Sequence, residues 1–123
     1  MDNSWGSRRL HISSFHAHVY YRIEDEAEKT LAKHLYADLE KLGKEFVTVG
    51  RFHEKLVGPH TRPMFNLIFT DAQFHQVVTY LQLNHHPLSV LIHPETGNDL
   101  LDHSKHALWL GDRLEVDYSK LDG

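Results

Sequence analysis

The stretch FHAHVYY at residues 15–21 constrains the fold more than any other part of the chain. Aromatic and β-branched residues favour an extended strand, in which successive side chains point to opposite faces. One face of this strand is apolar and aromatic and can pack against helices: Phe15, Ala17, Val19 and Tyr21. The other face carries polar rings: His16, His18 and Tyr20. Burying imidazoles is unfavourable unless their nitrogens are bound, so the second face predicts a binding site.

The apolar pattern of the remaining chain predicts three more strands and two helices. The strands are expected at residues 15–22, 45–53, 64–69 and 88–93, and the helices at 25–42 and 71–84. Asp25 and Glu28 have the spacing of an N-terminal capping box, and Gly43 follows the end of the first helix. The order β-α-β-β-α-β predicts an α+β fold, the ferredoxin-like split β-α-β sandwich. This fold has a four-stranded antiparallel sheet in the order 4-1-3-2, with two helices on one face.

The chain length sets the domain organisation. At 123 residues the chain is long enough for one domain with a core and too short for two. We expect a lead-in at residues 1–14 and a single domain at residues 15–123 that includes the C-terminal segment. No apolar run approaches the roughly 20 residues that span a bilayer. The N-terminus also lacks the apolar stretch of a signal peptide, so we expect a cytoplasmic protein with no membrane partner.

Histidine is the unusual part of the composition. The chain has 12 histidines, nearly as many as its 13 lysines and arginines, and no cysteine. Thiolate metal sites are therefore excluded, whereas imidazole is the commonest metal ligand in proteins. A formal net charge of −4 with no basic block also argues against a nucleic-acid partner.

Three histidines from distant segments are expected to converge. If the first and fourth strands are neighbours, His93 lies on the same sheet surface as His16 and His18. His60 belongs to the Gly-Pro-His turn between the second and third strands, which can fold over this surface. We therefore predict His18, His60 and His93 as ligands of a divalent metal.

Several alternatives stay open around this site. His16 can either bind the metal or serve as a proton donor, while His103 and His106 can approach from the side. His53 and Glu54 are adjacent, and Glu54 can complete a site of two histidines and one carboxylate.

Other polar residues are expected to bind substrate or to orient the histidines. Arg51 and Arg62 are predicted to bind a substrate carboxylate through paired hydrogen bonds, and Tyr20 is a third predicted substrate-binding residue. Three acids can orient the imidazoles or simply cap turns: Glu95, Asp99 and Asp102. The remaining histidines are read as ordinary surface residues: His11, His34, His75, His85 and His86.

Three stretches together resemble the DOPA 4,5-dioxygenase family: FHAHVYY at 15–21, RFHEKLVGPHTRPMF at 51–65 and LIHPETGNDLLDHSKHALWLG at 91–111. Members of the family share an F-H-x-H-V-Y start, a P-V-G-P-H-P-x-P-M-F loop and an H-P-x-T-G-x-x-x-x-D-H segment. Leu56 and Thr61 stand where the family has proline, and these departures leave His60 in place.

The resemblance implies a ferredoxin-like fold, commonly paired as a homodimer, and a non-haem iron enzyme. We therefore expect an extradiol dioxygenase that opens the ring of L-DOPA or a related catechol with O2. Fe(II) is the expected cofactor, with zinc or nickel as substitutes. Within this family mechanism His16 is our first choice for proton transfer and His103 the second.

Two other functions remain open at this stage. One is a metal-binding or small-molecule-binding module without turnover, and the other is a cofactor-free monooxygenase or isomerase with a histidine base.

Overall fold

The computed structural model describes residues 11–121, which form one antiparallel sheet of five strands and three α-helices. The strands are β1 (Ser14–Tyr20), β2 (Thr48–Phe52), β3 (Met64–Thr70), β4 (Ser89–Pro94) and β5 (Leu108–Leu110). The helices are α1 (Glu26–Leu42), α2 (Asp71–Asn84) and α3 (Asp99–Asp102). Most of the predicted lead-in, residues 1–10, lies outside the described residues. None of the helices in residues 11–121 is long and apolar enough to cross a membrane.

The strand order is β2-β3-β1-β4-β5. The first four strands have the predicted 4-1-3-2 arrangement, but the prediction of a four-stranded sheet was wrong. The apolar patch at residues 107–110 contributes a fifth strand, whose Leu108 and Leu110 pair with Ile92 and Val90 of β4. A strand of three residues is too short to show a period in the sequence, and it forms because the edge of β4 offers unpaired backbone groups.

The apolar face of β1 lies in the main core. Ala17, Val19 and Tyr21 are fully buried, as the alternation of FHAHVYY predicts. They pack against the apolar faces of α1 and α2 in one cluster that includes Ala32, Leu35, Leu39, Val77, Val78 and Leu81. The predicted cap of α1 is also present, since the Asp25 side chain accepts a hydrogen bond from the backbone N–H of Glu28. Both helices therefore cover one face of the sheet and leave the imidazole face of β1 on the other.

The C-terminal segment covers part of that second face. Val116 forms an isolated β-bridge with His60, and the Thr61 hydroxyl donates a hydrogen bond to the Glu115 carbonyl at 2.7 Å. A smaller apolar cluster forms beneath the segment from Tyr20, Met64, Leu91 and Val116. These contacts hold the loop that carries His60 against the sheet.

Two leucines of α2 provide a matched test of the core. Leu81 is fully buried, whereas Leu83 is 79% exposed. We expect Leu81→Ala to lower the free energy of unfolding by about 2–5 kcal/mol, because it removes buried methyl groups and leaves a cavity. Leu83→Ala should change it by less than about 0.5 kcal/mol. Urea unfolding followed by circular dichroism measures both values, and equal losses would contradict the assignment of the core.

Candidate metal centre

Four buried histidines from four segments meet on the sheet face opposite α1 and α2. His18 lies on β1, His93 on β4, His60 in the loop between β2 and β3, and His103 directly after α3. Their residue exposures are 5%, 2%, 7% and 8% in that order. The ring centroids of His18 and His60 are 4.2 Å apart, as are those of His93 and His103, and 5.2 Å separate His18 from His93. The three predicted ligands are therefore neighbours, and His103 joins them.

Backbone carbonyls fix the orientation of two of these rings. The Nδ1 atom of His93 donates to the Pro94 carbonyl at 2.9 Å, and the Nδ1 atom of His103 donates to the Asp99 carbonyl at 2.8 Å. A carbonyl can only accept, so each Nδ1 carries the proton. The Nε2 atom of each neutral ring is then left with a lone pair for a metal. Asp99 contributes to the site through its backbone rather than its carboxylate.

Side chains anchor the other two rings. The Nδ1 atom of His18 donates to the side-chain oxygen of Asn66 at 2.8 Å, and the Nδ1 atom of His60 lies 2.7 Å from the Tyr20 hydroxyl. Burial raises the pKa of Tyr20, so its phenol stays protonated. Tyr20 was predicted to bind substrate, but its hydroxyl is engaged with His60. Asn66 was not predicted as part of the site, although it is the single polar residue within the apolar run MFNLIF.

The contact between the His18 and His93 rings shows how these residues can suit a cation. The Nε2 atoms of His18 and His93 lie 3.1 Å apart. The His93 ring carries its proton on Nδ1, so its Nε2 atom presents a lone pair towards His18. A divalent ion bound to both Nε2 atoms, at about 2.0–2.1 Å each for zinc, would replace this contact with two ligand bonds. The donor set therefore fits a divalent metal.

Two overlapping groups of three imidazoles have metal-binding geometry. Within each group the ligand nitrogens all lie within 4.8 Å of one another. One group consists of His18, His60 and His103, all buried, and the other of His16, His18 and His93. The predicted trio is thus divided between the groups, and the two predicted catalytic histidines each complete one of them. His18 belongs to both.

Burial keeps His18, His60 and His93 neutral. It lowers the pKa of His60 to about 4, with further contributions from His103 and His93, and it lowers the pKa of His93 to about 4 as well. The pKa of His18 is held well below its usual range, first by burial and then by His60 and His93. Neutral imidazole binds metals and imidazolium does not, so the cluster is ready for a metal at neutral pH.

Two of the acids that were predicted to orient the histidines lie beside the cluster. The Glu95 carboxylate lies 3.4 Å from Nδ1 of His16 and 3.7 Å from Nδ1 of His93. Asp102 is fully buried, accepts two hydrogen bonds from Thr96 and lies 3.0 Å from Nδ1 of His106. Burial alone raises the pKa of Asp102, but the hydrogen bonds from His106 and Thr96 outweigh this effect and lower it.

The structure does not bring the predicted arginines to the cluster. Arg51 is exposed on β2, which β3 separates from β1, and Arg62 lies in the surface loop before β3. Glu54 forms an ion pair with Lys29 at 2.7 Å, and this hydrogen bond lowers the pKa of Glu54. Glu54 is therefore engaged away from the imidazoles. His53 is named only as the smallest contribution to the lowered pKa of His60, after burial and the other histidines.

Fold and site together define a small α+β protein with a buried cluster of histidines that could hold a metal ion. The chain matches the model of the Dopa 4,5-dioxygenase family over residues 15–120. It belongs to that family, as the three sequence motifs predicted.

Two relatives and one solved structure are similar to this chain. An uncharacterized 21.2 kDa protein of Botryotinia fuckeliana is 34% identical over 116 residues, which cover 86% of this chain and 62% of that protein. DOPA 4,5-dioxygenase of Amanita muscaria is 29% identical over 114 residues, which cover 89% of this chain and 50% of that protein. This chain thus spans only 62% and 50% of the lengths of these two relatives. The crystal structure of a candidate dioxygenase from Nostoc punctiforme has a TM-score of 0.74 and 37% identity, covering 88% of this chain and 90% of that one.

Removing the shared histidine should have the largest effect on metal binding. We expect His18→Ala to lower the affinity for the metal by at least about tenfold, because both groups of imidazoles lose a ligand. His75→Ala, on an exposed position of α2, should retain the metal content of the unmodified protein. Elemental analysis after anaerobic loading measures the metal, and circular dichroism confirms the fold. Equal metal in the two variants would rule out His18 as the central ligand.

The metal-free protein should become less stable as the pH falls. Histidines of the unfolded chain take up protons near pH 6.5, whereas His60 and His93 stay neutral in the folded protein until about pH 4. The stability they contribute is thus complete above about pH 6.5 and declines towards pH 4. Urea midpoints of chelator-treated protein between pH 7 and pH 5 measure the slope. His60→Gln should flatten this slope and the exposed His34→Gln should not; a slope unchanged by His60→Gln would contradict the mechanism.

Proposed function

We propose that the protein is a non-haem iron(II) dioxygenase that opens the ring of a catechol with O2 at the histidine cluster. The observation that carries this proposal is the convergence of buried imidazoles around His18, which belongs to two groups of three whose ligand nitrogens lie within 4.8 Å of one another. Family membership adds the reaction class, since one relative is named DOPA 4,5-dioxygenase. L-DOPA and related aromatic diols are therefore the substrates to examine first.

In this proposal the fully buried group of three imidazoles holds the ion, namely His18, His60 and His103, with His93 beside it. Bound ferrous iron would supply Lewis-acid activation of the diol and a place where the diol and O2 meet. The chain's own contribution is to bury the rings and to hold His18 and His103 in one orientation through their Nδ1 hydrogen bonds. His103 moves from the predicted proton-transfer role to a ligand role, because it is buried and its Nδ1 proton is engaged by a carbonyl.

His16 is the residue we assign to proton transfer. Its ring is half-buried at the edge of the cluster, with its centroid 5.3 Å from that of His93. Its Nδ1 atom lies 3.4 Å from the Glu95 carboxylate, which can hold the ring in place. His16 would accept a proton from a substrate hydroxyl and later return it to the opened product. An imidazole can both accept and donate a proton, so it suits both steps.

A metal-binding module without turnover is the second candidate function. Buried imidazoles would also suit a structural zinc ion, because zinc sites whose ligands all come from the protein are structural rather than catalytic. The predicted homodimer, the cytoplasmic location and zinc or nickel as substitute metals stay predictions.

Loading the protein with iron decides between these functions. We expect Fe(II)-loaded protein, mixed with a panel of catechols in air, to consume O2 and to form a yellow ring-opened product in equal amounts. The rate should follow the iron content, and zinc-loaded protein should be inactive. Absorbance spectra and an oxygen electrode measure the two quantities.

Two variants serve as controls for the assigned roles. His16→Gln should retain iron and lose at least about 100-fold in rate, because the proton acceptor is absent. His75→Gln should keep both iron and rate. Tight zinc binding without O2 uptake on any catechol would instead establish the binding module, and full activity in chelated, metal-free protein would establish the cofactor-free enzyme.

A further inference from the structure

Two acceptors compete for the proton of the His18 ring. The Nδ1 atom of His18 lies 2.8 Å from the side-chain oxygen of Asn66, and its Nε2 atom lies 3.1 Å from Nε2 of His93. The Nε2 atom of His93 carries no proton, because Nδ1 of that ring donates to the Pro94 carbonyl. A neutral imidazole has a single N–H group. His18 can therefore donate to Asn66 or to His93, but not to both.

The choice of acceptor decides whether His18 can bind a metal. With the proton on Nε2, the His18 and His93 rings are hydrogen-bonded to each other, and the nitrogen that His18 directs at the cluster has no lone pair. With the proton on Nδ1, Nε2 of His18 has a lone pair that a cation can bind. His18 belongs to both groups of three imidazoles, so the position of this one proton affects each group.

The sheet holds Asn66 at the place where it can accept this proton. Asn66 of β3 is paired directly with His18 of β1. On its other side the backbone of β2 comes close at Gly50, where a Cβ atom would lie 3.0 Å from the Cβ atom of Asn66. The Tyr36 hydroxyl donates to the Gly50 carbonyl at 2.8 Å and fixes this part of β2. The amide is thus confined between two strands, and its oxygen makes the shorter of the two contacts with His18.

We propose that Asn66 is a positioning residue that draws the His18 proton to Nδ1 and thereby keeps Nε2 of His18 free for a metal. Without Asn66 the proton moves to Nε2, and His18 donates to His93 instead. This inference rests on the metal site of the proposed function and is independent of the reaction that the metal supports.

The position of the proton can be measured in the metal-free protein. Nuclear magnetic resonance of protein labelled with ¹⁵N-histidine distinguishes an Nδ1–H ring from an Nε2–H ring, and the signals of His18 are those that His18→Gln removes. We expect the Nδ1–H form in the unmodified protein and the Nε2–H form in Asn66→Leu, whose side chain accepts no hydrogen bond. Asn66→Asp retains an acceptor and should restore the Nδ1–H form. The same form in all three proteins would overturn the inference.

Metal affinity is the second quantity to measure. Calorimetric titration with Zn²⁺ should give an affinity at least about tenfold lower for Asn66→Leu than for the unmodified protein, and Asn66→Asp should recover most of this loss. The matched control is Thr48→Val at an exposed position of β2, which should change neither the affinity nor the proton position. A lower affinity in Asn66→Leu with the Nδ1–H form retained would overturn the inference, because Asn66 would then only support the local fold.

A second substitution guards against a failure of Asn66→Leu to fold, which circular dichroism would reveal. Asn66→Ala also removes the acceptor and should show the same change of proton position and the same loss of Zn²⁺ affinity. Unchanged proton position and affinity in a folded Asn66→Ala protein would contradict the positioning role.

None of these measurements uses a catechol, so they separate the inference from the dioxygenase proposal. If Asn66→Leu moves the proton and weakens Zn²⁺ binding while the iron-loaded, unmodified protein consumes no O2 with any catechol, the positioning role stands and the dioxygenase proposal falls. If the unmodified protein cleaves a catechol and Asn66→Leu binds Zn²⁺ equally well with its proton still on Nδ1, the dioxygenase proposal stands and the positioning role falls.

Discussion

The register of β1 between its two neighbours is the constraint on which the site depends. In that register His18 pairs with Asn66 of β3, and His16 pairs with His93 of β4. A shift of one residue would turn His16 and His18 into the helix-packed core and place Ala17 on the imidazole face. The apolar residues that alternate with the histidines prevent this shift, because their burial against α1 and α2 is possible in only one register. The same residues therefore stabilise the fold and aim the imidazoles.

The imidazole cluster is unfavourable for the folded chain by itself, since it takes polar rings out of water. Hydrogen bonds to Asn66, Pro94 and Asp99 hold one nitrogen of three of these rings. Burial lowers the pKa of His18, His60 and His93, so protons do not occupy the nitrogens that a metal would bind. A divalent cation would bind the Nε2 atoms of His18 and His93, which otherwise contact each other at 3.1 Å.

Much of the fold followed from sequence patterns, and the misses have physical causes. The period-two pattern of β1 and the cap at Asp25 were predicted because each depends on neighbouring residues alone, and the order of the first four strands followed from the rules for short, right-handed connections. The strand β5 was missed because it exists only against the edge of β4. In the site, the nearness of His18, His60 and His93 was predicted from the alternation of the strands and their expected order. Asn66 was missed because its role is defined by its partner across the sheet.

The sequence by itself determined which side chains share a face, which segments become the long helices and which family the chain resembles. These properties depend on local spacing and on residue identity. Only the tertiary structure decided that His103 joins the buried imidazoles, that His18 belongs to two ligand groups, and that Arg51 lies two strands away. Those outcomes depend on how α3 and the C-terminal segment pack onto the sheet, and such packing joins residues whose separation in the chain carries no periodic signal.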